Sequence, residues 1–209
     1  MMAPAQETTQ AVVPQALDTP EALGFRAAAA GHRDSVAGMF FNSAMDVLTA
    51  KVGPAGAEKA FRLALGAGRK QFEAFYRYPV ADLLKLMDAG ARIVGGDYAS
   101  LVADFGRAAT QSFLKSPMGR TLLVLSGREP HRLLFSLSSG NNAPATPTSR
   151  EYTRTGPCSA IIRYTSELLG PAWVSGSIEQ ALSSVFGLQA QISVSNGELP
   201  GSFELTVRW

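Results

Sequence analysis

Few residues in this chain have side chains suited to chemistry. There is one cysteine, Cys158, and there are two histidines, His32 and His131. A thiol becomes a nucleophile when a base takes its proton and a third group orients that base. Cys158 follows Gly156-Pro157 at the start of a strand-like segment, with no histidine close in sequence. An inert cysteine is the better reading there than a reactive thiol or a lipid-attachment site. His32 sits at the edge of a polar segment and reads as solvated. His131 lies in the first turn of a short helix beside Glu129 and Arg132, and these polar neighbours favour a capping or surface role. Gly66-Ala67-Gly68-Arg69-Lys70 imitates a phosphate loop, but the spacing is wrong and no strand precedes it. No paired carboxylates and no metal-spaced His/Cys cluster stand out, so the pattern points away from an enzyme.

The elements that must position these residues follow from periodicity. Ser116-Pro117 opens a helix, with serine as cap and proline at the first helical position. Met118, Leu122 and Leu125 make its apolar stripe, and Gly127 stops it. Pro130 opens a second helix with Leu133, Leu134 and Leu137, separated from the first by the polar insert Ser126-Gly127-Arg128-Glu129. Upstream, Asp34 reads as the cap of a helix that Gly53-Pro54 ends, and Ala55 to Leu65 make the next. Tyr78-Pro79 is a junction, because the residue before proline leaves helical geometry. Leu83, Leu84, Leu86 and Met87 then lie on one stripe that ends at Gly95-Gly96. Asp97 caps a helix through Phe105 and Phe113.

After Gly140 the texture changes. Asn141 to Pro147 is turn-rich, Thr148 to Thr153 can extend, and Ser159 to Thr165 has the content of a buried strand. Gly170-Pro171 opens a helix bearing Trp173, Val174, Ile178 and Leu182. Leu188 to Ser195 and Phe203 to Trp209 alternate as strands. The expected class is α+β: an N-terminal helical layer, then a four-stranded antiparallel sheet in β-β-α-β-β order. Ile162, Val194, Leu205, Trp173 and Ile178 are the expected core there, with the helix on one face of the sheet.

At 209 residues, 46% apolar and 17% charged, the chain suits one globular domain. A net charge of +2 with no Lys/Arg cluster argues against nucleic acid. No apolar run is long enough to span a bilayer. A single cysteine fits a reducing compartment, and with no leader pattern the expected location is the cytoplasm. Residues 1–32, rich in Ala, Pro, Gln and Thr, read as a flexible tail in which Ala22 to Ala30 can form a short helix. The domain is expected to span 33–209.

From Tyr78 to Arg120 the chain reads YPVADLLKLMDAGARIVGGDYASLVADFGRAATQSFLKSPMGR. This resembles a myxobacterial domain of unknown function that occurs in many paralogous copies (DUF2378-like). The matching features are Tyr78-Pro79, Phe105-Gly106-Arg107, Gly119-Arg120 and the terminal Val207-Arg208-Trp209, and the likeness runs from about Gly38 to Trp209. That domain is distantly similar in layout to H-NOX sensors and TRAPP subunits, helices followed by a two-strand, helix, two-strand sheet around an apolar pocket. The resemblance implies a non-enzymatic interaction or small-apolar-ligand-binding module, a signalling or regulatory adaptor, with no cofactor. The alternative it implies is a haem-binding gas sensor. His131 would then be the axial ligand, and Tyr164 and Ser166 would stand in the Tyr-x-Ser-x-Arg motif that holds haem propionates. Leu168 occupies the arginine position of that motif and Glu167 adds a negative charge, whereas propionates need cationic partners. Arg107 and Arg120, which recur in the family pattern, read as structural, pairing with acids such as Asp104 or Asp82.

Met39, Phe40, Phe41, Phe72, Phe75 and Tyr76 give the early helices more aromatic surface than a thin layer hides. A homodimer or a protein partner on the helices between Val36 and Tyr76 is therefore expected.

Overall fold

The computed structural model describes residues 18–67, 71–127, 129–138, 149–197 and 201–209. Among them are seven helices, a two-stranded ribbon and a four-stranded antiparallel sheet. The elements run α1 (Pro20–Ala29), β1 (Ser35–Ala37), α2 (Gly38–Leu65), β2 (Arg77–Pro79), α3 (Val80–Val94), α4 (Tyr98–Lys115), α5 (Pro117–Ser126) and α6 (Pro130–Ser138). They continue with β3 (Ser149–Gly156), β4 (Ser159–Thr165), α7 (Pro171–Phe186), β5 (Gln191–Asn196) and β6 (Phe203–Arg208). The sheet order is β3-β4-β6-β5, every pair antiparallel.

Local signals account for most boundaries. Asp97 accepts from the Ala99 and Ser100 amides at the head of α4, and Ser116 accepts from Gly119 N at the head of α5. Gly95 and Gly127 end α3 and α5 with positive φ. Gly53, at φ 73 and followed by Pro54, breaks α2 internally where the sequence places a helix end. Asp34 is not a helix cap. Ser35–Ala37 instead pairs with Arg77–Pro79 as a ribbon, and α2 begins three residues later than that cap requires.

Two expectations fail on packing. The segment before residue 33 is not all tail. Thr19 caps α1, which packs with Ala22, Leu23 and Arg26 buried, so the folded part extends to residue 18 at least and residues 1–17 lie outside the described ones. The short helix read at Ala22 is this element, held down by Leu23 at 1% exposure. The early aromatics are likewise not a surface. Met39, Phe40, Phe41 and Phe72 are all buried, with Phe41 stacked on Phe72 at 4.1 Å and Tyr78 edge-on to both. Phe75 and Tyr76 alone of that group are exposed. The ribbon folds the segment around Phe72 back over α2, a long-range closure that no helical period reveals.

The sequence motif Phe105-Gly106-Arg107 is a clamp between α4 and α7. Phe105 is fully buried. A Cβ on Gly106 would meet the Trp173 carbonyl oxygen at 2.1 Å, and one on Gly176 would meet the Ala103 carbonyl oxygen at 2.1 Å. The two helices thus approach backbone to backbone through reciprocal glycines. Arg107 locks the crossing, reaching Asp104 at 2.6 Å and Glu179 of α7 at 2.7 Å. The structural reading of Arg107 holds, with Glu179 as an added partner. Asp82 pairs instead with Lys85, and Arg120 is exposed.

In the sheet, Ile162 and Leu205 are buried as expected, but Val194 is 46% exposed. It sits on β5, whose one neighbour among the described strands is β6, beyond the cover that buries its partner Leu205. Asn141 to Pro147 and the residues after Gly197 up to 200 lie outside the described segments, as do residues 68–70 of the glycine loop.

Candidate functional site

α4, α5, α6, α7 and the sheet do not close completely on one another. Between them lies a cavity of about 390 Å³. That is within the size range of small-molecule sites. Its walls are mostly apolar: Phe40 of α2, Phe113 of α4, Leu122 of α5, and Trp173, Val174 and Ile178 of α7. Because α7 faces α4 across the glycine crossing, Ile178 borders this space. On α5, Met118 and Leu125 both line the cavity and are exposed (45% and 73%), so it reaches solvent beneath that helix.

One end of the cavity is polar, and the sheet register builds it. Arg150 of β3 stands opposite Tyr164 of β4, with its guanidinium carbon 5.5 Å from the centre of the Tyr164 ring. Nη2 of Arg150 donates to Glu167 Oε2 at 2.9 Å, and Nη1 donates to the Leu137 carbonyl at 3.0 Å. The other Glu167 oxygen accepts from Leu169 N at 3.1 Å. The Arg150 and Glu167 side chains are 12% and 3% exposed. Tyr164 stacks on Phe203 at 4.9 Å. Burial holds its hydroxyl well above the usual phenol range, although the Arg150 cation pulls the other way.

His131 takes no part in this cavity. Its Nε2 donates to the Pro157 carbonyl at 2.8 Å. A carbonyl only accepts, so the neutral ring carries its proton there and Nδ1 accepts from the Tyr152 hydroxyl. The ring also lies edge-on to Trp209 at 4.7 Å. Buried to 7% exposure, it latches α6 to the β3–β4 turn and the end of β6, which corrects the surface reading of its polar neighbours. Burial pushes the Tyr152 hydroxyl up to about 12. Tyr152 is two residues along β3 from Arg150, on the same face. The latch therefore adjoins the polar end of the cavity without opening into it.

Of the residues marked for haem, Tyr164 alone lines the cavity. Ser166 is exposed, at φ 60. His32 is exposed as well, so neither histidine of the chain reaches the space. Both nitrogens of His131 are committed, the raised Tyr164 pKa disfavours a phenolate ligand, and Glu167 already neutralises the one arginine beside Tyr164. This donor set does not fit haem as arranged. Among the described residues no group of three or more His, Cys, Asp or Glu is placed to hold a metal. Cys158 is exposed in the β3–β4 turn, and its carbonyl accepts from Trp209 N at 3.1 Å.

Arg150 was not legible as a site residue. Its signal is the alternation in Ser149-Arg150-Glu151-Tyr152, which turns a charged residue inward, but which inward residue meets Glu167 depends on register.

The chain has an α+β fold like that of solved H-NOX domains. Solved structures that it resembles include an Fe(II) unliganded H-NOX protein from K. algicida, at TM-score 0.67 and 14% identity, covering 82% of this chain and 95% of that one. An H-NOX protein from S. oneidensis in the Fe(II)NO ligation state matches at TM-score 0.64 and 14% identity, over 82% of this chain and 98% of that one. An oxygen-binding H-NOX domain related to soluble guanylate cyclases matches at 0.52 and 16%, over 82% and 92%. The family model described as protein of unknown function, DUF2378, matches residues 30–209, and the chain belongs to that family. No curated protein matches it in sequence.

Proposed function

We propose that this domain is a non-enzymatic, sensor-like module that binds a small, largely apolar molecule in the cavity between α4, α5, α7 and the sheet. The cavity itself carries the reading, with its apolar walls, buried polar end and exit beneath α5. Catalysis finds little support. Cys158 is exposed, and His131, which bonds the carbonyl of the preceding Pro157, has its other ring nitrogen on the Tyr152 hydroxyl. Occupancy would be read out as a change in the packing of α5 and α6, in keeping with a regulatory adaptor. A reducing compartment such as the cytoplasm fits the exposed thiol.

Trp173, 4% exposed on the cavity wall, is the built-in reporter. Titrating small apolar molecules should change its emission and raise the melting temperature, since a ligand that binds only the native state stabilises it. Leu122→Trp fills the cavity from its half-exposed α5 wall and should abolish both responses. Ligand responses that survive in Leu122→Trp would place the binding site elsewhere.

The likeness to H-NOX structures favours haem as a second reading of the same space. It requires His131 to free one ring nitrogen from its partner and turn it into the cavity, and a Soret band that His131→Ala removes would decide for it. The dimer reading keeps Phe75 and Tyr76 as its only exposed aromatics. A monomer by sedimentation at micromolar concentration would dismiss it.

A further inference from the structure

From the balance of charge at the polar end we infer that the ligand is an uncharged amphiphile, such as an alcohol, ketone or ester, and that Glu167 excludes anionic ones. This rests on the cavity being the binding site. Among the described residues Arg150 is the one cation lining it, and Glu167, also on the lining, takes that charge at 2.9 Å. Behind Glu167 lies a second cation, Arg26, 7% exposed and packed against Gly170, whose field reaches Glu167 and is offset by Asp18. The Arg150 charge thus has its counter-charge in contact before a ligand arrives.

A carboxylate head entering here would meet a guanidinium already engaged and a carboxylate fixed beside it. Glu167 cannot swing away cheaply, because its other oxygen holds the Leu169 amide near the start of α7. Breaking such a buried pair leaves a charge uncompensated, and that is costly. A neutral head has better options. Thr110, Ser136 and Tyr164, which all line the cavity, carry hydroxyls that can meet a ligand hydroxyl or carbonyl without adding charge. Glu167 is therefore the specificity-determining residue, acting by occupying Arg150.

Octanol and octanoate, alike in chain and different in head, test this by displacement of a fluorescent apolar probe. The wild type should prefer octanol by about a hundredfold, the scale on which an uncompensated buried charge acts. Glu167→Gln exposes the Arg150 charge to the ligand, so octanoate should gain at least about tenfold and should raise the lowered melting temperature of that variant. The double variant Arg150→Gln, Glu167→Gln removes both charges and guards against a misfolded single variant. It should keep octanol and still reject octanoate. Equal binding of both heads by the wild type, with no gain in Glu167→Gln, would overturn the inference while leaving the cavity as the site. Gain of octanoate by the double variant would also overturn it, since the cation that lines the cavity among the described residues is then gone. If neither molecule nor the probe binds and Leu122→Trp changes nothing, the cavity reading itself falls and the inference with it.

Discussion

The helical region around Phe41 and the region over the sheet are built from similar apolar side chains, yet one closes and the other stays hollow. The Phe72 ring lies 4.1–6.0 Å from those of Phe41, Phe61 and Tyr78, and the β1–β2 ribbon straps them down. Over the sheet, α4 and α7 meet backbone to backbone at Gly106 and Gly176, which fixes them as a rigid pair. The short helices α5 and α6 then span the remaining gap without filling it. A rigid crossing beside two short helices leaves a space, whereas a long helix and a folded-back strap close one. Stability should therefore be concentrated in the first region and binding in the second.

The largest loss should come from Phe41→Ala. It removes a fully buried ring from a closed cluster and should cost about 3–5 kcal/mol by denaturant titration. Gly106→Ala tests the rigid pair. With a backbone oxygen 2.1 Å from the new Cβ, it should cost about 3 kcal/mol and loosen the cavity wall. Tolerance of alanine there would mean that the two helices are not held by their glycines. Ile178→Ala should cost about 2 kcal/mol, at the low end for such a truncation, because the side chain already borders empty space. A cost matching Phe41→Ala would show the cavity to be closed in solution.

The alkaline limb should report on the sheet region. Burial raises the hydroxyl pKa values of Tyr152 and Tyr164, and the folded state favours their neutral forms. That stabilisation is complete below the ordinary phenol value of about 10 and is lost as pH rises through about 12 for Tyr152. Urea midpoints should fall across that window, and less steeply in Tyr152→Phe. The smallest effect should be that of Leu122→Trp, within about 1 kcal/mol of wild type on a half-exposed helix face, although it removes ligand binding. A large destabilisation would mean that α5 cannot move to admit the added ring.

Much of this molecule was determined by local sequence. Asp97 and Ser116 set helix starts, Gly95 and Gly127 set ends, and the alternation of Phe203, Leu205 and Val207 set the inward face of β6, because capping, positive φ and strand period act over a few residues. The family motifs were legible as well, though not what they do. That Gly106 meets Trp173, and that Arg107 reaches across to Glu179, depends on residues more than sixty positions apart in the chain arriving at one crossing. The burial of Phe41 and Phe72 was decided by the ribbon, and the docking of α1 by the contact of Leu23 with the core. The site was decided last. His131 read as a polar surface residue or a ligand, and became a latch only when β3 brought Tyr152 beside it. Arg150 and Glu167 became a charge-balanced pole only through the β3–β4 register, a pairing that one residue of slip would have turned inside out.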